Sequence, residues 1–220
     1  MDRETCLSFD RQDPLASVRD EFVLPEGLIY LDGNSLGALP RGTLARLTQV
    51  IGDEWGSGLI RSWNAAHWIE APSRIGDKIA RLIGAKAGEV IVADSTSVNL
   101  FKLLAEALRV QPGRHFILTE ASNFPTDLYV ANGLIELLGG NHALRVVERA
   151  EIERSLDGSV AVVMLTHVDY ASGEIHDMRH ITAAAQKVGT LVLWDLSHSA
   201  GAVPVDLNAA QVDLAVGCGY

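Results

Sequence analysis

The residues best placed to do chemistry follow apolar runs. Leu191-Val192-Leu193-Trp194 reads as a short buried strand and is followed at once by Asp195 and, three residues on, by His198. A carboxylate and an imidazole then sit at a strand's carboxyl edge, where open α/β sheets bind ligands. Other strands end in the same way. Val90-Ile91-Val92 leads to Ser95-Thr96-Ser97 at a helix start, Phe116-Ile117-Leu118 leads to Asn123-Phe124-Pro125-Thr126-Asp127, and Val160 to Leu165 leads to Thr166 and His167. Hydroxyls and free N–H groups at a helix N-terminus attract an anion. An aromatic ring near the edge can stack on a planar ligand, and a buried carboxylate can pair with a ring nitrogen. Each signal has a plainer reading by itself: N-capping for the hydroxyls, a hydrophobic staple for Phe124, and a cap or turn for a single Asp. Their convergence on one edge is what a pyridoxal phosphate site requires, since an acidic partner for the pyridinium nitrogen keeps that cofactor an electron sink.

Those residues need a sheet to carry them. Leu28-Ile29-Tyr30-Leu31 reads as a short strand closed by Asp32-Gly33-Asn34-Ser35. Leu44, Leu47, Ile51 and Trp55 recur at helical spacing up to Gly56-Ser57-Gly58. Ile75, Ile79, Leu82 and Ile83 mark a second amphipathic helix that stops near Gly84. Strand and helix then alternate. The predicted strands lie at 90–92, 116–118, 144–147, 160–165, 191–194 and 214–216, and the predicted helices carry Val98 to Leu108, Leu128 to Leu138, Ile152, and Ile181 to Val188. Fully apolar strands alternating with helices predict an α/β fold, a mostly parallel sheet with helices on both faces.

Bulk properties narrow the function. The chain has 220 residues, 48% hydrophobic, with a formal net charge of −10. That charge argues against nucleic acid or an anionic membrane as partner. Cys6 and Cys218 match no metal spacing, and the charged start Met1-Asp2-Arg3-Glu4 has no apolar core of a signal peptide. A cytoplasmic protein acting on a small molecule is expected. His176 and His180 stand four apart, as on zinc helices, but lack the glutamate beside the first histidine, so no metal site is expected. Gly217-x-Gly219 is no dinucleotide fingerprint, because no helix follows it.

Five blocks carry a family resemblance: Tyr30 to Gly37, Gly58 to Trp63, Asn123 to Asp127, Trp194 to Gly201, and Gly217 to Tyr220. In this order they resemble the kynureninase family, pyridoxal-phosphate enzymes of the aminotransferase-like fold (fold type I). The resemblance implies hydrolysis of L-kynurenine or 3-hydroxykynurenine to anthranilate or 3-hydroxyanthranilate and L-alanine, in tryptophan catabolism. By the same resemblance Thr96, Ser97 and Tyr220 hold the phosphate, Phe124 stacks on the ring, and Asp195 pairs with its nitrogen. Asp127, Thr166 and His198 complete the surroundings of the ring. Tyr220, Asp127 and Asp195 are the catalytic candidates, with Trp63 and Asn34 facing the substrate.

The family's next residue after the tyrosine matching Tyr220 is the lysine that links to the cofactor. Here the lysines are Lys78, Lys86, Lys102 and Lys187, all in predicted helices or at their ends. The 220 residues alone are therefore expected to be inactive, an incomplete large domain (58–220) after an N-terminal arm and helix (1–57), without the small C-terminal domain. The parent is expected to be a homodimer. The competing readings are a class V aminotransferase or cysteine desulfurase relative, which usually has histidine where Phe124 stands, and a non-catalytic fragment.

Overall fold

A computed structural model describes residues 2–220. They form two compact units, one running up to Ile69 and including Tyr220, the other Glu70–Gly219.

The larger unit holds the predicted sheet. Strands β3 (Phe116–Glu120), β4 (Ala143–Val147), β5 (Val160–Thr166), β6 (Leu191–Asp195) and β7 (Leu214–Val216) pair all parallel in the order β4-β3-β5-β6-β7. Helices α4 (Ala71–Leu82) and α5 (Thr96–Val110) precede these strands, α6 (Pro125–Leu137) runs between β3 and β4, and α7 (Met178–Lys187) between β5 and β6. Side chains alternate across a strand, and the core divides accordingly. Ile117, Val162, Met164 and Leu193 pack with Leu100 and Leu104 of α5 and Leu134 of α6. Leu118, Val163, Val192 and Trp194 pack on the other face with Ile181 and Ala185 of α7. Every residue of β5 is buried, as expected of a central parallel strand covered on both sides.

Gly76 of α4 lies against the chain at Val90, where an added Cβ would sit 2.0 Å from the Val90 carbonyl oxygen. Gly84 follows α4 with φ of +65°, the left-handed conformation that ends helices.

The smaller unit contains α1 (Arg3–Gln12), the antiparallel pair β1 (Phe22–Val23) and β2 (Leu39–Pro40), α2 (Thr43–Gln49) and α3 (Ser62–Ala65). The expected helix over Leu44 to Trp55 is α-helical only in α2 and continues as a π-helix over Val50–Ser57.

Two predicted strands are absent. Residues 28–31 join no ladder, and Ile29 and Leu31 are 82% and 90% exposed. Residues 90–92 also pair with no strand; the Val92 N–H bonds the Pro72 carbonyl instead, at 3.2 Å. An apolar run becomes a strand only where a neighbour offers a ladder. No described helix is long and apolar enough to cross a membrane.

Candidate active site

The site begins where β5 and β6 end. Thr166 and Asp195 are register partners, each the last residue of its strand and each 3% exposed. Strand alternation turns them away from the face that buries Trp194 and toward the face covered by α5 and α6. From that side α6 contributes Asp127, also 3% exposed, in its first turn.

The Asp127 and Asp195 carboxyls hydrogen-bond each other. Burial and the neighbouring Asp195 charge push Asp127 up to about 8. Burial also raises Asp195, against the lowering effect of its bonds from Ser197. Asp195 Oδ1 accepts from the Ser197 N–H at 2.7 Å and from its hydroxyl at 2.6 Å. Two buried carboxylates this close cannot both be ionised without a cation, so at neutral pH the pair holds a proton. His198 lies close enough to Asp195 to favour its charged form.

Aromatic groups close one side. Phe124, which caps α6, stands edge-to-face with Tyr170 (5.3 Å, 86°) and with His198 (5.9 Å, 73°). The loop that carries Tyr170 is pinned by Asp169, whose Oδ1 accepts from the N–H groups of Ala171 and Ser172 at 3.0 and 2.7 Å.

On the other side stands the start of α5. Ser95 caps it, accepting from the Val98 N–H at 3.3 Å. The first intrahelical bond runs from Asn99 N–H to the Ser95 carbonyl, so the N–H groups of Thr96 and Ser97 precede the helical ladder. The Thr96 hydroxyl donates to the Gly217 carbonyl at 3.2 Å, which ties this helix end to the loop after β7. Beside that loop, Val216 is the register partner of Asp195.

Seven expected residues, Thr96, Ser97, Phe124, Asp127, Thr166, Asp195 and His198, thus belong to the Glu70–Gly219 unit. Tyr220, Trp63 and Asn34 belong to the other. There Trp63 is 49% and Tyr220 43% exposed, and Asn34 occupies the turn after Asp32.

Behind the site the sheet hides a group that sequence reasoning missed. Glu120, last residue of β3, meets the His176 ring with Oε1 to Nε2 at 2.8 Å, and both side chains are buried. The His176 and His167 rings both pack on Trp194, 5.9 and 5.8 Å away. Burial lowers His167 first, with His176 adding to the effect. His180 goes elsewhere, to Glu153 at 2.9 Å. The four-residue spacing suggested a shared helical face, but α7 starts at Met178, after His176. A histidine flanked by strand and helix gave a signal for a polar contact, though not for which carboxylate.

Could these residues hold pyridoxal phosphate? The structure offers its own test, since Asp127 Oδ2 is buried with no hydrogen-bond partner. A cationic ring N–H beside the pair would let both carboxyls ionise and give them a donor. With open N–H groups at α5 and the Phe124 ring, the residues fit that cofactor.

The family model described as aminotransferase class-V matches residues 29–219. Over 99% of its length the chain is 56% identical to a kynureninase of Pseudomonas fluorescens and to one of Burkholderia pseudomallei, covering 54% of each. The chain thus spans about half the length of the curated relatives it matches. Among solved structures it resembles the cystine C–S lyase C-DES with glycine covalently linked to its pyridoxal phosphate cofactor (TM-score 0.77, 17% identity, 92% of this chain and 55% of that one). It also resembles an apo cysteine desulfurase of Thermococcus onnurineus (TM-score 0.69, 21% identity, 90% and 51%). The two structures share its fold.

Proposed function

The chain belongs to the class-V aminotransferase family, and from that premise we propose that it is the cofactor-binding part of a pyridoxal-phosphate-dependent kynureninase. The protein that carries it would hydrolyse L-kynurenine, or its 3-hydroxy form, to anthranilate, or 3-hydroxyanthranilate, and L-alanine in tryptophan catabolism. The observation that carries the reading is the buried Asp127–Asp195 pair at the strand edge, in a chain 56% identical to kynureninases.

The bound cofactor supplies an electron sink for the carbanion formed next to the amino group. Asp195 would hold the ring nitrogen protonated, and Asp127 would share that role through its bond to Asp195. Thr96, Ser97 and the N–H groups at the start of α5 would take the phosphate. Phe124 would cover a ring face and exclude water from it. Thr166 and His198 would complete the surroundings of the ring. Tyr220, Trp63 and Asn34 stay in the proposal on the family resemblance alone, for the phosphate and the substrate. A homodimeric parent and a cytoplasmic setting are parts of the same reading.

Titration with pyridoxal phosphate, followed by tryptophan fluorescence and visible absorbance, tests cofactor binding. Saturation at one cofactor per chain is expected, and absence of binding overturns the reading. Anthranilate fluorescence on addition of L-kynurenine to the full protein tests the substrate; a persulfide product from cysteine instead would move the protein to the desulfurases.

A further inference from the structure

Asn123 leads out of β3 into α6 and is 3% exposed. Its Oδ1 accepts from the Phe124 N–H at 2.7 Å and from the Thr166 hydroxyl at 2.5 Å. Its Nδ2 donates to Thr119 Oγ1 at 2.9 Å and to the Met164 carbonyl at 3.2 Å. Two of these partners are main-chain groups of one polarity: an N–H only donates and a carbonyl only accepts. They fix which end of the amide is oxygen, so its orientation is not interchangeable.

A consequence follows for Thr166. Its hydroxyl meets an oxygen and must donate its single proton there. Toward any ligand at the strand edge it then offers lone pairs alone. The same Asn123 oxygen holds the main chain at Phe124, where the ring leaves the cap of α6.

We propose that Asn123 is a positioning residue for the cofactor ring: it makes Thr166 an acceptor-only contact beside Asp195 and fixes Phe124, so the ligand atom at Thr166 is a hydrogen-bond donor. The proposal rests on the pyridoxal phosphate reading above. Asn123 itself touches no ligand in this account. It acts through two neighbours that four hydrogen bonds to one buried amide hold in register.

Four variants of the full protein test it: Asn123→Ala, Thr166→Val, Thr166→Ser, and Asn123→Ala combined with Thr166→Val. The readouts are the dissociation constant for pyridoxal phosphate by tryptophan fluorescence and the melting temperature without cofactor. Thr166→Ser should bind within about twofold of the parent, while Thr166→Val and Asn123→Ala each weaken binding by about tenfold. Because Asn123 acts partly through Thr166, the double variant should lose well under the roughly hundredfold product of the single losses. A product of independent losses overturns the proposal. So does an Asn123→Ala protein that melts earlier but binds the cofactor unchanged, which is the signature of a structural role alone.

Should Asn123→Ala fail to fold, Asn123→Asp replaces it. Buried against the Met164 carbonyl, the new carboxyl must stay protonated, so it keeps the accepting oxygen and donates through its O–H in place of the nitrogen. Affinity should stay within about threefold, less than the worth of one hydrogen bond. A larger loss, or normal binding by Thr166→Val, overturns the proposal. Failure of the parent to bind pyridoxal phosphate removes the cofactor reading and this inference together. Binding by the parent with unchanged variants removes only the inference.

Discussion

Asp127 at the start of α6 and Asp195 at the end of β6 hydrogen-bond through their carboxyls, and each is 3% exposed. Asp195 has a second set of bonds, from Ser197, whereas Asp127 Oδ2 has none. The asymmetry assigns the charge to Asp195 and the proton to Asp127, whose carboxyl is pushed up to about 8.

Without ligand, stability should therefore depend on pH through this pair. Asp127 has a folded value of about 8, above its unfolded 3.8, so between the two the folded state binds more protons. Its contribution is fully present below pH 3.8 and is lost as pH rises through about 8. Urea unfolding at a series of pH values should show that decline, and Asp127→Asn should flatten it. At pH 8 that variant is expected to be more stable than the parent, because a neutral amide has neither the desolvation cost nor the repulsion from Asp195 that an ionised Asp127 has. An unchanged pH profile would show that Asp127 does not titrate in this range.

Replacing Asp195 with Ala should weaken pyridoxal phosphate binding by about tenfold or more, since a charge-assisted hydrogen bond contributes about 1.5–3 kcal/mol. Fluorescence titration measures it. Unchanged affinity would mean that the cofactor binds elsewhere.

Glu120→Ala should destabilise the fold by about 3 kcal/mol, because it strands the buried His176 ring and empties the space beneath the sheet. Glu120→Gln, which can still bond Nε2, should lose less. Chemical denaturation of both variants decides the order, and equal losses would mean that packing rather than the polar contact matters.

Borohydride treatment of residues 1–220 with pyridoxal phosphate should leave the intact mass unchanged. Lys102 pairs with Asp94, Lys78 and Lys187 lie on α4 and α7, and Lys86 lies beyond α4, none of them at the end of a sheet strand. A stoichiometric adduct on one lysine would contradict this.

The 220-residue chain should self-associate, because Ile29, Leu31, Leu36, Leu44 and Ile60 are each at least 70% exposed. Light scattering after size exclusion checks this. A monodisperse monomer melting sharply above about 65 °C would show that these surfaces need no cover.

Much of this was readable from the chain alone. β5 and β6 are apolar runs whose length and flanks admit little but buried strands, and the residue after such a run must fall at the sheet edge. Asp195 and Thr166 could therefore be picked out by position, and Phe124 and Asp127 by their place at a helix start. Residues 28–31 and 90–92 have the same local character and form no strand, because a ladder needs a partner that local sequence does not supply. The contacts of Glu120 with His176 and of Asn123 with Thr166 were equally out of reach, joining positions 56 and 43 residues apart. Residue type and period determine which way a side chain points from its own element. Only the packing of strands and helices decides what it meets there, and so which buried carboxyl keeps its proton and which hydroxyl gives its proton to a neighbouring amide.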